Sequence, residues 1–432
     1  MSNDEIIKKS FCVLPWIHTF VNNSGRYHVC CTGEFSNNEI LDEAGNYLNV
    51  RQQLPVEAIV NSEHMKKIRK EMLSGIFPES CYVCKKAEDF GAFSRRMVEN
   101  NAYQYLIDSL IENTDEDGSI EVKIKYADYR TGNTCNLKCR MCDLLASSKW
   151  ENDFIDTVTG IVSIPHWDAI ISDYKTLSLN DQDFVFKDLQ NKEKHIERIH
   201  FGGGEPLISK SMLDILEYCI QNGTASHICL SYNTNLTLLP KKILECWSYF
   251  KEVKIMASID GVGIVNDYIR SPSVWADIDQ NLKFLDKNHE KYNIKEVLIS
   301  TTVQVNNILH LHKLYEYLAT FDFIVKLPNL VLLEHPFYLD ISMLPKDLKK
   351  NAIRLLNFIL MSYIPKEESQ SSLASGLIKC ITAMKVPVPD HTLNKLQSSF
   401  REFTKRYDQK QGLDAFKVNP ELYFLFDEND AK

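Results

Sequence analysis

Thr134-Cys135-Asn136-Leu137-Lys138-Cys139-Arg140-Met141-Cys142 sets three thiols in a CxxxCxxC pattern. Residues 121–129, just before it, read as a strand, so the cysteines fall at a strand's C-terminal end. Alternating α/β folds place their chemistry at that end. Thiolates hold iron–sulfur clusters, and a 4Fe–4S cube ordinarily takes four of them. Three on one short loop leave one iron open, as a catalytic metal requires. A zinc site finished by a histidine is the alternative. Zinc sites usually pair two short CxxC-like halves, however, and no histidine lies close by in the sequence.

Outward from this loop, residues 120–333 alternate strands with helices. Further strands are expected at 196–201, 227–232, 253–259, 297–305 and 324–333. Ser209 is placed to cap a helix with Met212, Ile215, Leu216, Cys219 and Ile220 on one face, ending near Gly223. Six strands with helices between them imply a parallel sheet, either open or a partial barrel. Polar sites follow the next three strands. They are Gly202-Gly203-Gly204-Glu205-Pro206, then Asn233-Thr234-Asn235, then Ser258-Ile259-Asp260-Gly261, with Arg270 beyond. Each alone reads as a capped turn. Together they are expected at one sheet edge.

CxxxCxxC after strand one, GGEP after strand two and SxDG after strand four resemble the radical S-adenosylmethionine (SAM) superfamily, over residues 120–333. The resemblance implies a partial (β/α)6 TIM-type barrel, with Cys135, Cys139 and Cys142 holding a SAM-binding 4Fe–4S cluster. It implies Gly203, Gly204 and Glu205 at the SAM amino group, and Ser258 and Arg270 at its carboxylate and ribose. Met141 would hold the adenine through its backbone, where many relatives carry an aromatic. Asn235 and Asp260 complete the expected cofactor site. Val303, Val305, Leu330 and Leu332 could wall the adenine, and core packing is the preferred reading.

Residues 1–118 are irregular and rich in cysteine. Cys12-Val13-Leu14-Pro15-Trp16, Cys30-Cys31 and Cys81-Tyr82-Val83-Cys84 supply four ligands if one of the adjacent pair counts. Neighbours on a strand point to opposite faces, so one of the two is expected to reach a shared metal. Cys30 is preferred, with Cys31 left open. Structural zinc on Cys12, Cys30, Cys81 and Cys84 is an alternative. The Cys-x-x-Pro-Trp start and the phrase Cys81-x-x-Cys84…Glu88-Asp89-x-Gly91-x-x-Ser94-Arg95 resemble the twitch and SPASM modules of radical SAM enzymes. That implies an auxiliary 4Fe–4S cluster, although such modules usually follow the barrel. His18 is expected to be a satisfied core histidine, and Cys219, Cys229 and Cys246 to be packing residues. Cys380 is open between a surface thiol and a substrate-side residue.

The expected domains are a cluster-bearing α+β module at 1–118, the barrel at 119–335 and a helical extension at 336–432. The strongest helical segments of that extension are 345–362 and 391–409. A formal charge of −9 argues against broad nucleic-acid or anionic-membrane binding. No apolar run approaches the ~18 residues of a membrane span, and the N-terminus is polar. A cytoplasmic setting follows, and the cysteines do not read as a disulfide framework. The resemblance implies oxidative modification of a peptide or protein, with a reductant such as flavodoxin or ferredoxin. A small alcohol or sugar is the alternative substrate, and a non-catalytic iron–sulfur or zinc protein the alternative class.

Overall fold

The computed structural model describes all residues except 1–2, 33–37, 90–92, 162–170, 172–173, 175–182, 191, 365–371 and 427–432. Its strands are β1 (His18–Val21), β2 (Tyr27–His28), β3 (Tyr126–Arg130), β4 (Arg198–Gly202), β5 (Cys229–Thr234), β6 (Glu252–Ser258), β7 (Ile294–Val303) and β8 (Asn329–Leu332). They form one eight-stranded sheet in the order β2-β1-β3-β4-β5-β6-β7-β8. From β3 onward the spatial order is the sequence order. Helices fill the crossovers, as parallel neighbours require. The β1–β3, β3–β4, β6–β7 and β7–β8 pairs are parallel, whereas β1–β2 is an antiparallel hairpin.

The chain divides into two compact units: Met1–Gly132, Leu177–Ser231 and Tyr249–Glu252 in the first, and Asn133–Thr176, Tyr232–Ser248 and Val253–Lys432 in the second. In the first unit, β1 lies in register with β3, Phe20 opposite Asp128 and Val21 opposite Tyr129. Ala127, Tyr129, Ile199 and Phe201 share the apolar face and are fully buried. Asp188 ties β2 and β3 to the Asp183–Gln190 helix by accepting from the Tyr27 hydroxyl and, at 2.8 Å, from the Tyr129 hydroxyl. The Ser209-capped helix runs Lys210–Gln221, with Ser209 Oγ accepting from Met212 N, and it buries Met212, Ile215, Leu216 and Cys219.

In the second unit a large core joins β7 and β8 to three C-terminal helices, Lys346–Ser362, Ser372–Lys385 and Asp390–Gln411. Val303, Val305 and Leu330 are buried in this core and Leu332 packs against it, in keeping with the core reading. Cys380 is fully buried in the same core, which corrects the surface-thiol alternative. The Ser372–Lys385 helix crosses β8 at Gly376, where a Cβ would stand 2.7 Å from Leu330 Cβ. Only glycine permits that approach.

Candidate active site

The loop after β3 carries Cys135, Cys139 and Cys142, with Cys139 buried and the other two half-buried. The Cys142 amide donates to the Cys139 carbonyl at 3.1 Å. The neighbouring Cys142 thiol, aided by the Arg270 guanidinium against the cost of burial, lowers the Cys139 thiol; Cys139 and burial raise Cys142. Arg270 Nη1 reaches Cys139 Sγ at 3.9 Å, while its Nε pairs with Asp260 at 2.8 Å. Asp260 is fully buried and is fixed by the Thr302 amide at 2.7 Å. Burial raises its carboxyl, opposed by Arg270.

The other end of the loop is held by β5. Asn235 Nδ2 donates to Asn136 Oδ1 at 2.9 Å and lies 4.0 Å from Cys135 Sγ. Asn136 in turn donates to Thr237 Oγ1 at 2.7 Å. Met141 Sδ sits 3.9 Å from Gln304 Nε2, beyond the end of β7. Ser258 is half-buried at the end of β6, opposite Ser300. These contacts make two groups, Cys139, Arg270 and Asp260 in one and Cys135, Asn136 and Asn235 in the other, at the two ends of one loop.

Gly203 and Gly204 form the turn after β4. Gly203 has φ +112°, and a Cβ there would meet the Gly132 carbonyl at 2.6 Å, while the Gly204 amide donates to that carbonyl at 2.8 Å. Glu205 is buried, and its Oε1 accepts from Leu207 N at 3.0 Å, capping the short Pro206–Ile208 turn.

In the N-terminal segment Cys12, Cys30, Cys81 and Cys84 line one small cavity with Leu14, Thr32, Arg95 and Arg96. Burial, then the neighbouring thiols, push Cys12 and Cys81 up. Cys31 does not line this cavity. Burial, with Asp128 nearby, raises its thiol to about 12. The motif's polar residues serve as scaffold: Glu88 accepts from Ser94 Oγ at 2.5 Å and from Arg96 Nε at 2.9 Å, and Arg96 Nη1 donates to the Phe11 carbonyl at 2.8 Å. Arg96 went unread in the sequence, because a charge beside a motif has no periodic signature. Gly91 lies outside the described residues.

His18 is buried against the Tyr126 ring, with centroids 4.5 Å apart. Among the described residues neither ring nitrogen has a partner of good hydrogen-bond geometry, against the expectation of a satisfied histidine. Burial lowers its pKa to about 3, so the imidazole is neutral.

No family model matches the sequence. The uncharacterized protein MJ0907 of Methanocaldococcus jannaschii is 30% identical over 204 residues, 46% of this chain and 59% of that protein. The chain thus spans about three-fifths of its curated relative. Similar solved structures include anSMEcpe with bound AdoMet and Cp18Cys peptide, 18% identical over 55% of this chain and 60% of that one, TM-score 0.34. They also include Streptococcus suis SuiB bound to precursor peptide SuiA, 14% identical over 65% and 60%, TM-score 0.33.

Proposed function

We propose that this chain is a radical SAM enzyme that modifies its substrate oxidatively, aided by an auxiliary cluster. The observation that carries the reading is the three-thiol loop, in which Arg270 donates toward Cys139 and Asn235 stands beside Cys135. The donor set fits a 4Fe–4S cluster with one open iron: three cysteines on one loop, with a guanidinium N–H toward Cys139 Sγ and an amide N–H beside Cys135 Sγ. Cys135, Cys139 and Cys142 would hold the cluster, which would supply the electron for reductive cleavage of SAM.

The chain's own residues orient that chemistry. Asp260 holds Arg270, leaving its Nη1 to serve the cysteine sulfur and the incoming carboxylate. The resemblance assigns the SAM amino group to Gly203, Gly204 and Glu205, the carboxylate and ribose to Ser258 and Arg270, and the adenine to the Met141 backbone. Cys12, Cys30, Cys81 and Cys84 would hold the auxiliary 4Fe–4S cluster; their shared cavity supports this. The division into a cluster module at 1–118, a barrel at 119–335 and an extension at 336–432 belongs to the same proposal. So do a cytoplasmic setting and a flavodoxin or ferredoxin reductant. Among the described residues no helix is long and apolar enough to cross a membrane.

A peptide or protein is the proposed substrate, on the resemblance of the N-terminal module. An adjacent short reading frame encoding a precursor peptide supports it; absence of one favours a small alcohol or sugar. Anaerobic reconstitution with iron, sulfide, SAM and dithionite tests the enzyme itself. Release of 5′-deoxyadenosine is expected, and its absence from cluster-loaded protein refutes the reading. Metal analysis separates the two N-terminal alternatives: ~8 Fe per chain for two cubes, ~4 Fe plus one Zn for structural zinc.

A further inference from the structure

The C-terminal helix Asp390–Gln411 carries Tyr407 and Asp408, for which the sequence offered no role. Both reach the cysteine loop. Asp408 Oδ1 pairs with Arg140 Nη2, between Cys139 and Met141 in the chain, and Arg140 is wholly buried. The other Asp408 oxygen accepts from Tyr268 Oη at 3.1 Å and from the Ala415 amide at 3.0 Å. Arg140 lies between two rings, 3.7 Å from the centre of Tyr268 and 4.3 Å from that of Tyr407. Tyr407 Oη donates to the Lys138 carbonyl, and Trp150 Nε1 to the Cys139 carbonyl at 3.2 Å. The Lys138 and Arg140 amides donate to Ser271 and Ile269 carbonyls at 2.6 and 3.0 Å. The backbone of the loop is thus held on both sides, and one of those sides is the C-terminal helix.

We infer that Asp408 and Tyr407 are positioning residues of the SAM-binding cluster, so that the C-terminal segment is part of the catalytic core. This rests on the proposed radical SAM reading. The Arg140–Asp408 pair places a matched cation and anion beside the loop. Cluster potentials follow the charge and hydrogen bonding around the sulfurs. Reduction adds an electron to the cluster, so loss of the anion alone favours the reduced form and loss of the cation alone disfavours it.

The test is a redox titration of the full, anaerobically reconstituted chain. It is followed through the reduced-cluster EPR signal that changes when SAM is added. D408N is expected to raise the midpoint potential, R140Q to lower it, and the double variant to fall between them. D408E should stay close to wild type. Shifts of the same sign, or none, overturn the inference; a merely fold-stabilising pair would lower thermal stability and leave the potential in place. If D408N does not fold, Y407F, which keeps the ring over Arg140, serves instead. It should lose several-fold more cluster iron than wild type on gel filtration, and equal retention overturns the inference. Wild-type protein with no SAM-responsive signal would instead defeat the underlying reading.

Discussion

Cys139 is the buried thiol of the loop, the one reached by Arg270 and the one whose carbonyl is held by Trp150. C139A should therefore lower 5′-deoxyadenosine release at least ~100-fold, as expected when a group essential to the chemical step is removed; liquid chromatography of quenched reactions measures this. Cys30 and Cys31 make a second contrast: both lie beyond the end of β2, and Cys30 lines the four-thiol cavity whereas Cys31 does not. C30S should lose roughly half of the chain's iron, whereas C31S should retain it, by colorimetric iron assay against ~8 per chain for two cubes. The choice between these neighbours could not be read from the sequence, because alternation says that they differ without saying which one faces the ligands.

At the scale of elements, most of the sheet was legible. The strands expected at 196–201, 227–232 and 253–259 appear at Arg198–Gly202, Cys229–Thr234 and Glu252–Ser258. The last strand is shorter than 324–333 because Pro328 has no N–H to give the ladder, so pairing begins at Asn329. His18–Val21 was missed. Its four residues are buried on both faces, which removes the alternation that marks a half-exposed strand. The helix Ser372–Lys385 falls within the extension expected to be helical but was not singled out there, since small and polar residues dilute its apolar stripe. The cysteine loop and the strand-end sites could be read because their spacing is local. The Glu88–Arg96 pair and the Asp408 contact could not, since they depend on which elements the fold brings together. Arg96 links the helix bearing Cys84 to the Cys12 end of the segment through Glu88 and the Phe11 carbonyl. R96A should therefore lose auxiliary-cluster iron while SAM cleavage persists, measured by iron content and 5′-deoxyadenosine yield on the same sample.

At the scale of the whole molecule, the chain stores uncharged histidines on the polar side of the first unit's sheet. Burial holds His18 near pKa 3 and His200 near 4, both from 6.5. Such a group takes its proton later in the native state than in the unfolded chain. Its stabilising effect is thus complete above about pH 6.5 and is lost as pH falls toward these native values. Each should contribute roughly 1–2 kcal/mol of lost stability between pH 7 and pH 5. Urea titrations should show a lower midpoint at pH 5 than at pH 7, and a smaller difference in H200N.

The hairpin of β1 and β2 lies against the open side of β3, four residues of β1 matching four of β3 in register. A version of the chain begun at residue 119 would strip that cover and present a bare row of amides and carbonyls to other molecules. Such trimmed protein should clump rather than behave as a free barrel. Whoever seeks the shortest piece that folds must keep the β1–β2 hairpin, whether or not its neighbours carry iron.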